Sequence, residues 1–290
     1  RSSDLSSSLV ARSKKSDLWS DFFSYRILDA LKKTKKSMSS RKENTVKNLL
    51  EKNMIVLTSM CDAEGRLGIA NVFDICMDLA AEHAAQLGVS YYDMLERRCY
   101  WVAVRTRVKL YNRPMLGEKI RLETWPYKPG LAKSERFYRI GGVDSVMAEG
   151  RTEWAAMDID TGAVRRTDSY GYPTSLQHHE ERVCEEPFTR FRKQVAEEPD
   201  DRISYIVGSQ DIDVGRHMNN VAYIRMLLGT FHTSELSSMD ISEVEISYGL
   251  ACYEGEQLLI FRHRKDDAWC FRVEKPNGDT AVNALFRMRT

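Results

Sequence analysis

The feature that most constrains this chain is a repeat within it. The run Val108-Lys109-Leu110, then Leu116-Gly117-Glu118-Lys119-Ile120-Arg121-Leu122, matches Ile246-Ser247-Tyr248, then Glu254-Gly255-Glu256-Gln257-Leu258-Leu259-Ile260, without a gap. Apolar positions and the Gly-Glu turn coincide. Each copy is also preceded by the same elements in the same order. In the first, a strand-like run at 54–60 leads through the turn Asp62-Ala63-Glu64-Gly65 into a helix whose apolar residues (Val72, Ile75, Met77, Leu79, Ala80, Ala84, Leu87) recur at helical spacing up to a stop at Gly88. In the second, 204–213 is a strand and turn, 219–228 an amphipathic helix ended by Gly229, and 244–248 opens a new strand. Two copies of one supersecondary unit imply two similar domains, and a helix followed by strands is an α+β pattern.

The strands follow from alternation. Between 101 and 110, Val102, Val104, Thr106, Val108 and Leu110 share one face, while Ala103, Arg105, Arg107 and Lys109 share the other, which predicts a half-buried strand. Further strands are predicted at 119–125, 135–140, 146–149 and 152–158, separated by turns at Pro129-Gly130, Gly141-Gly142 and Asp160-Thr161-Gly162. The expected organisation is a basic extension at 1–53, a first domain at 54–168, a connector at 169–200 and a second domain at 201–290. The connector carries Pro173, Pro187, Pro199 and the pair His178-His179, and is expected to cross the surface without regular structure.

With 42% hydrophobic and 29% charged residues, the chain has enough apolar content for two ordinary cores. No apolar run approaches the roughly 20 residues needed to span a bilayer, so no membrane role is expected. Six cysteines lack CxxC or CxxH spacing. They read as reduced thiols of a soluble protein in a cytoplasmic-type compartment, with no metal site and no cofactor implied. The net charge of +1 hides a basic tail, since residues 1–53 hold 13 Lys/Arg against 6 Asp/Glu. That tail is expected to be solvated, with one or two short helices, and nothing points to a nucleic-acid partner.

The stretch richest in chemistry is Asp213-Val214-Gly215-Arg216-His217-Met218-Asn219-Asn220-Val221-Ala222-Tyr223. It places a carboxylate and an imidazole four residues apart where a turn enters a helix. A helix N-terminus offers unpaired N–H groups and partial positive charge, suited to an oxygen that becomes negative during reaction. His217 is the natural proton carrier near neutral pH, and Asp213 a base, nucleophile or orienting partner. Capping explains Asp213 and Asn219 equally well on spacing alone.

From about residue 54 onward the chain resembles the acyl-acyl carrier protein (acyl-ACP) thioesterases, tandem hotdog enzymes of bacteria and plastids, and looks like a bacterial member. The family signature D-x-N-x-H-x-N-N-x-x-Y reads here from Asp213 to Tyr223. The first half agrees through Asp62-Ala63-Glu64-Gly65-Arg66-Leu67, Ala81-Glu82-His83 with Gly88, Trp101 through Trp125-Pro126, and Glu153-Trp154 followed by Asp158-Ile159-Asp160-Thr161-Gly162. The resemblance implies two fused hotdog domains, each an antiparallel sheet wrapped around a long helix. It implies hydrolysis of fatty-acyl thioesters on acyl carrier protein, with Asp213, His217 and Cys252 as catalytic candidates. Cys252 matches a cysteine once assigned as nucleophile in plant members; as a free thiol it reads equally as a small buried hydrophobe. Gly215 stands where the family signature has an Asn that positions water or substrate, and Ala251 where many members have an acid. Gly215, Asn219 and Asn220 are the expected substrate contacts at the signature.

No histidine matches His217 in the first repeat, where Arg66 and Leu67 fall, so one active site per chain is expected, with His83 packing or capping. The acyl chain needs an apolar slot against the first helix, for which Met77, Leu79 and Trp101 are candidate liners, although core packing explains them equally well. A basic rim from Arg262, Arg264, Lys265, Arg287 and Arg289 would favour an acidic carrier protein. Other readings are an acyl-CoA thioesterase, which differs only in what carries the pantetheine arm, and a non-catalytic acyl-binding hotdog protein. A homodimer is left open.

Overall fold

The computed structural model describes residues 48–142, 145–173, 178–191 and 199–289. The disorder and short helices expected of the tail lie on residues 1–47, outside the described residues.

The first repeat runs β1 (Leu50–Ile55), α1 (Ile69–Gln86), α2 (Tyr91–Glu96), β2 (Cys99–Leu110), β3 (Lys119–Pro126), β4 (Ser134–Gly141), β5 (Val146–Asp158) and a short β6 (Val164–Arg165). The second runs β7 (Asp201–Ile206), α3 (Asn220–Leu228), α4 (Thr233–Ser238), β8 (Ile241–Tyr248), β9 (Gln257–Lys265), β10 (Ala268–Glu274) and β11 (Thr280–Met288). Every pairing is antiparallel, and the strand order β1-β3-β4-β5-β2-β8-β11-β10-β9-β7 reads the same way outward from its centre in each repeat. The two units therefore form one continuous sheet, joined where β2 meets β8. α1 and α3 contribute to a single core, in which Val72, Phe73 and Leu79 pack in one cluster with Val221, Ile224 and Leu227. Each such side chain, fully buried, contributes about 1.5–3 kcal/mol.

α1 ends as the sequence dictates. Gly88 sits at φ 69° and the Val89 N–H reaches back to Ala84 O at 2.9 Å, which closes the last turn. The second helix is half as long, nine residues against 18.

Four local expectations are corrected. The strand expected at 54–60 instead spans Leu50–Ile55 and is followed by a single 3-10 turn at Thr58–Met60. The strands expected at 146–149 and 152–158 are one strand, because Gly150 does not interrupt it; a Cβ there would lie 3.3 Å from Tyr138 Cδ2 and 3.4 Å from Val108 Cγ2, so glycine is what lets these neighbours pack. The faces of β2 exchange part-way along. Register slips between Ala103 and Arg105, leaving Val104 as a bulge, so Trp101 and Ala103, rather than Val102, share the inner face with Thr106 and Val108.

Finally, β2 is covered on both sides. On its outer face the connector lays Phe188 beneath the guanidinium groups of Arg105, Arg107 and Arg151, at 4.7, 5.4 and 4.8 Å from the ring centre. Arg107 donates to Glu186 O at 2.7 Å, Pro187 O at 2.9 Å and, through Nε, Glu245 Oε2 at 3.0 Å. Glu245 in turn accepts from the Thr189 N–H at 2.6 Å. The described part of the connector lacks regular structure from Tyr170 onward, yet buries Tyr170, Tyr172, Val183, Cys184 and Phe188.

Candidate active site

Residues 212–218 form a tight loop closed by pairing of Ile212 with Met218. The Asp213 N–H donates to His217 O at 3.1 Å and the Arg216 N–H to Asp213 O at 3.0 Å, with Arg216 at φ 61° to make the reversal. The loop is tied down from two sides, Met218 N–H to Cys252 O and Asn219 N–H to Asp211 O, both at 2.8 Å. Asp213 Oδ1 accepts the Gly215 N–H at 2.7 Å and lies 3.8 Å from His217 Nδ1. His217 Nδ1 in turn lies 3.3 Å from Met218 O. Only a protonated Nδ1 can donate to that carbonyl, so the neutral ring keeps its lone pair on Nε2.

Both side chains keep about a quarter of their surface, 24% for Asp213 and 27% for His217, enough for water to reach them. Burial pushes the Asp213 carboxyl above its ordinary range, and the His217 charge and the Gly215 and His217 amides offset this only in part. A Cβ on Gly215 would stand 2.9 Å from His217 Nε2 and 3.0 Å from Asp213 Oδ1. The absent side chain is therefore what leaves room between the two groups. Asn219 is the N-cap of α3, its Oδ1 accepting the Val221 N–H at 2.7 Å. Asn220 opens the helix, and its N–H has no acceptor among the described residues.

The first repeat makes the same loop with a different outcome. Asp62 N–H donates to Arg66 O at 2.8 Å, and Gly65 supplies the left-handed turn at φ 74°. Here Arg66 takes the place of His217, and the Asp62 carboxylate is paired with Arg66 at 3.2 Å and Arg113 at 2.7 Å. Burial works to raise the Asp62 pKa, but the Arg66 amide and the two guanidinium charges outweigh it and hold the group low. Asp62 is a neutralised anchor, whereas the Asp213 carboxyl, raised by burial, holds its proton more tightly than an ordinary carboxyl.

Cys252 does not join this pair. Its side chain is 0% exposed in the main core, and burial raises its pKa, with Tyr223 and Lys275 offsetting part of the effect. Its backbone carbonyl, rather than its sulfur, serves the loop. The buried His83 also stands apart, 3.0 Å from Arg136 on β4.

A cavity of about 160 Å³ opens between α1 and the first repeat's strands, lined by Met77, Ala80, Ala84, Val89, Trp101 and Trp154 among others. The bulge in β2 turns Trp101 inward, where its indole N–H is held by Val89 O at 2.9 Å. Tyr91 joins cavity to loop: it lines the former, and its hydroxyl lies 3.3 Å from Val214 O. Burial and the Asp213 charge both raise its pKa, so it stands beside the carboxylate as a neutral phenol. The sequence reading missed Tyr91, which lies 123 positions from its partner and belongs to no local pattern. It also missed Arg136, although a charge on the same strand face as Tyr138 and Ile140 was a visible anomaly.

The expected basic rim is largely spent. Arg262 is paired with Asp201, Arg287 with Glu243 and Arg289 with Asp240.

The model of the acyl-ACP thioesterase N-terminal domain matches residues 47–169, and that of the acyl-ACP thioesterase C-terminal domain matches 195–282. The chain belongs to the acyl-ACP thioesterase family. Oleoyl-acyl carrier protein thioesterase 1 of Arabidopsis thaliana is 21% identical over 205 residues, 65% of this chain and 56% of its own length. This family member thus spans little more than half of that relative. Among solved structures, an acyl-ACP thioesterase from Bacteroides thetaiotaomicron superposes with a TM-score of 0.75 at 19% identity, covering 83% of this chain and 98% of the other. The 12:0-ACP thioesterase from Umbellularia californica gives 0.73 at 15%, covering 86% and 99%. At such identities these likenesses speak for the tandem hotdog fold. Among the described residues, no helix is long and apolar enough to cross a membrane.

Proposed function

We propose that this protein hydrolyses fatty-acyl thioesters carried on acyl carrier protein and releases the free acid for fatty-acid metabolism. The observation that carries this is the Asp213–His217 loop held against Tyr91 at the wall of an apolar cavity. Alkyl carbons would lie along Met77 and Trp101, with the thioester at the loop. A water between Asp213 and His217 Nε2 would lose its proton to one of them as it attacks the carbonyl carbon, and the thiol leaves with a proton returned by the same pair. The Asn220 N–H, with no acceptor of its own, would stabilise the oxyanion. Gly215 supplies room and an amide to Asp213, and Asn219 sets the helix start.

Since three of the four rim arginines are already paired, charge steering gives little support to carrier protein over coenzyme A, and family membership carries that choice. We place the protein in a reducing, cytoplasmic-type compartment, in keeping with six free cysteines. A homodimer is not needed to complete the site, because one chain contributes both Tyr91 and Asp213. Turnover of matched acyl-ACP and acyl-CoA substrates by purified protein tests the proposal. Hydrolysis of acyl-ACP with the higher kcat/KM supports it, preference for acyl-CoA moves the carrier, and binding without turnover overturns it.

A further inference from the structure

One wall of the cavity does not suit a plain hydrocarbon. Arg136 lines it and is 7% exposed. Its Nη1 reaches His83 Nδ1 at 3.0 Å and Thr124 Oγ1 at 3.3 Å, and among the described residues it has no carboxylate partner and no acceptor for Nε or Nη2. Glu135, next to it in the strand, also lines the cavity, but its carboxylate is taken by Arg151 at 2.9 Å and Arg182 at 3.2 Å. Arg136 is thus a buried cation whose near neighbours, His83, Thr124, Tyr138 and Tyr172, include no carboxylate. Burial draws its pKa down, as expected for a charge with no counter-ion.

The fold does not require this charge. Arg136 pairs with Thr152 across β4 and β5, and register places Trp269 and Phe286 at the same positions in the second repeat. There the space is filled by aromatic packing, with Phe231 and Trp269 5.2 Å apart and Phe271 and Phe286 4.7 Å apart. One repeat closes the position with apolar rings, and the other keeps it open with a cation in the wall. Leaving a buried charge unpaired is costly, and lining it with methylenes would remove what water it has.

We propose that this cavity selects acyl chains bearing a second carboxylate beyond the thioester, with Arg136 as its counter-ion. The substrate class is then the monothioester of an α,ω-dicarboxylic acid: methylenes against Met77, Ala84 and Trp101, the free carboxylate on the guanidinium. This deepens the thioesterase reading and rests on it for the reaction.

The test compares three thioesters of equal chain length on one carrier: a plain fatty acyl group, an ω-carboxyacyl group, and its ω-methyl ester. In parallel, calorimetry measures binding of the free monocarboxylic and dicarboxylic acids. The expected result is a kcat/KM about tenfold or more higher for the ω-carboxy chain, in line with a hydrogen-bonded charge pair. The gain should vanish in the methyl ester and in Arg136→Met. Equal or better use of the plain chain overturns the inference, as does a preference that survives Arg136→Met. Should that variant not fold, the methyl ester alone decides. If no thioester is cleaved, the hydrolase reading fails, and tighter binding of the dicarboxylic acid, or its lack, still settles the role of Arg136.

Discussion

Asp213 and His217 stand 3.8 Å apart at the two ends of one tight loop, with only the bare Cα of Gly215 between them. Asp213→Asn and His217→Ala are each expected to lower acyl-thioester turnover by about 10²-fold or more, the lower end of what a positioned acid–base group contributes. Cys252→Ala should cost much less, since its thiol is buried and its pKa raised. Steady-state kinetics on the three variants checks this, and abolition of turnover in Cys252→Ala alone would replace the mechanism with a thiolate one.

Gly215→Asn restores the residue of the family signature, yet it should reduce turnover. The new Cβ would meet His217 Nε2 and Asp213 Oδ1 at 2.9 and 3.0 Å, so the pair must move apart. A displacement approaching 1 Å costs up to about 10²-fold. A faster enzyme would show that the loop yields without disturbing the pair.

The raised Asp213 pKa has a stability consequence of definite sign. The folded chain holds this proton more tightly than the unfolded chain, so stability falls as pH rises through the interval between the two pKa values. The cost is fully present once the pH is above the folded-state pKa. Asp213→Asn should therefore melt at a higher temperature than the parent at pH 7, with the difference closing below the ordinary carboxylate range. Turnover should be lost on the acid side as Asp213 takes up its proton. Calorimetric scans at several pH values and a pH–rate profile read both effects.

Removing Glu245 leaves the buried Arg107 with only the more distant carboxylates of Glu243 at 3.5 Å and Glu186 at 3.8 Å among the described residues. Glu245→Gln should destabilise the fold by about 3–5 kcal/mol in chemical denaturation. A loss below about 1 kcal/mol, the scale of a surface pair, would mean that Glu186 takes over as partner.

Truncation is sensitive to where the cut falls. Removing residues 1–47 should leave turnover intact, whereas removing 1–53 deletes four of the six β1 residues and bares the edge of β3. The shorter product should lose solubility, which sedimentation of the expressed protein measures.

Much of this architecture was legible because its determinants are local. The spacing from Val72 to Leu87, the stop at Gly88 and the repeated Gly-Glu turn each act within a few residues. The loop of Asp213 was legible for the same reason. The bulge at Val104 was not, because a bulge preserves alternating composition and shows itself only in what the strand pairs with. Gly150 looked like a break, although its role is to admit Tyr138 and Val108. Tyr91 reaches the active loop through tertiary folding alone.

The seam between the repeats has a further consequence. Across it Arg107 pairs with Glu245, Thr106 with Ile246 and Val108 with Val244, and the sequence repeat aligns Arg107 with Glu245, Val108 with Ile246 and Thr106 with Val244. Arg107 and Glu245 thus occupy the axis of an internal two-fold, where in a dimer of identical subunits a residue meets its own copy. A charged residue there would be repelled by itself. One chain holding both copies escapes that rule, placing opposite charges where symmetry would impose like ones. Each half consequently carries an address: a first half would set Arg107 against Arg107, a second half Glu245 against Glu245, and only the mixed pair brings attraction to the axis.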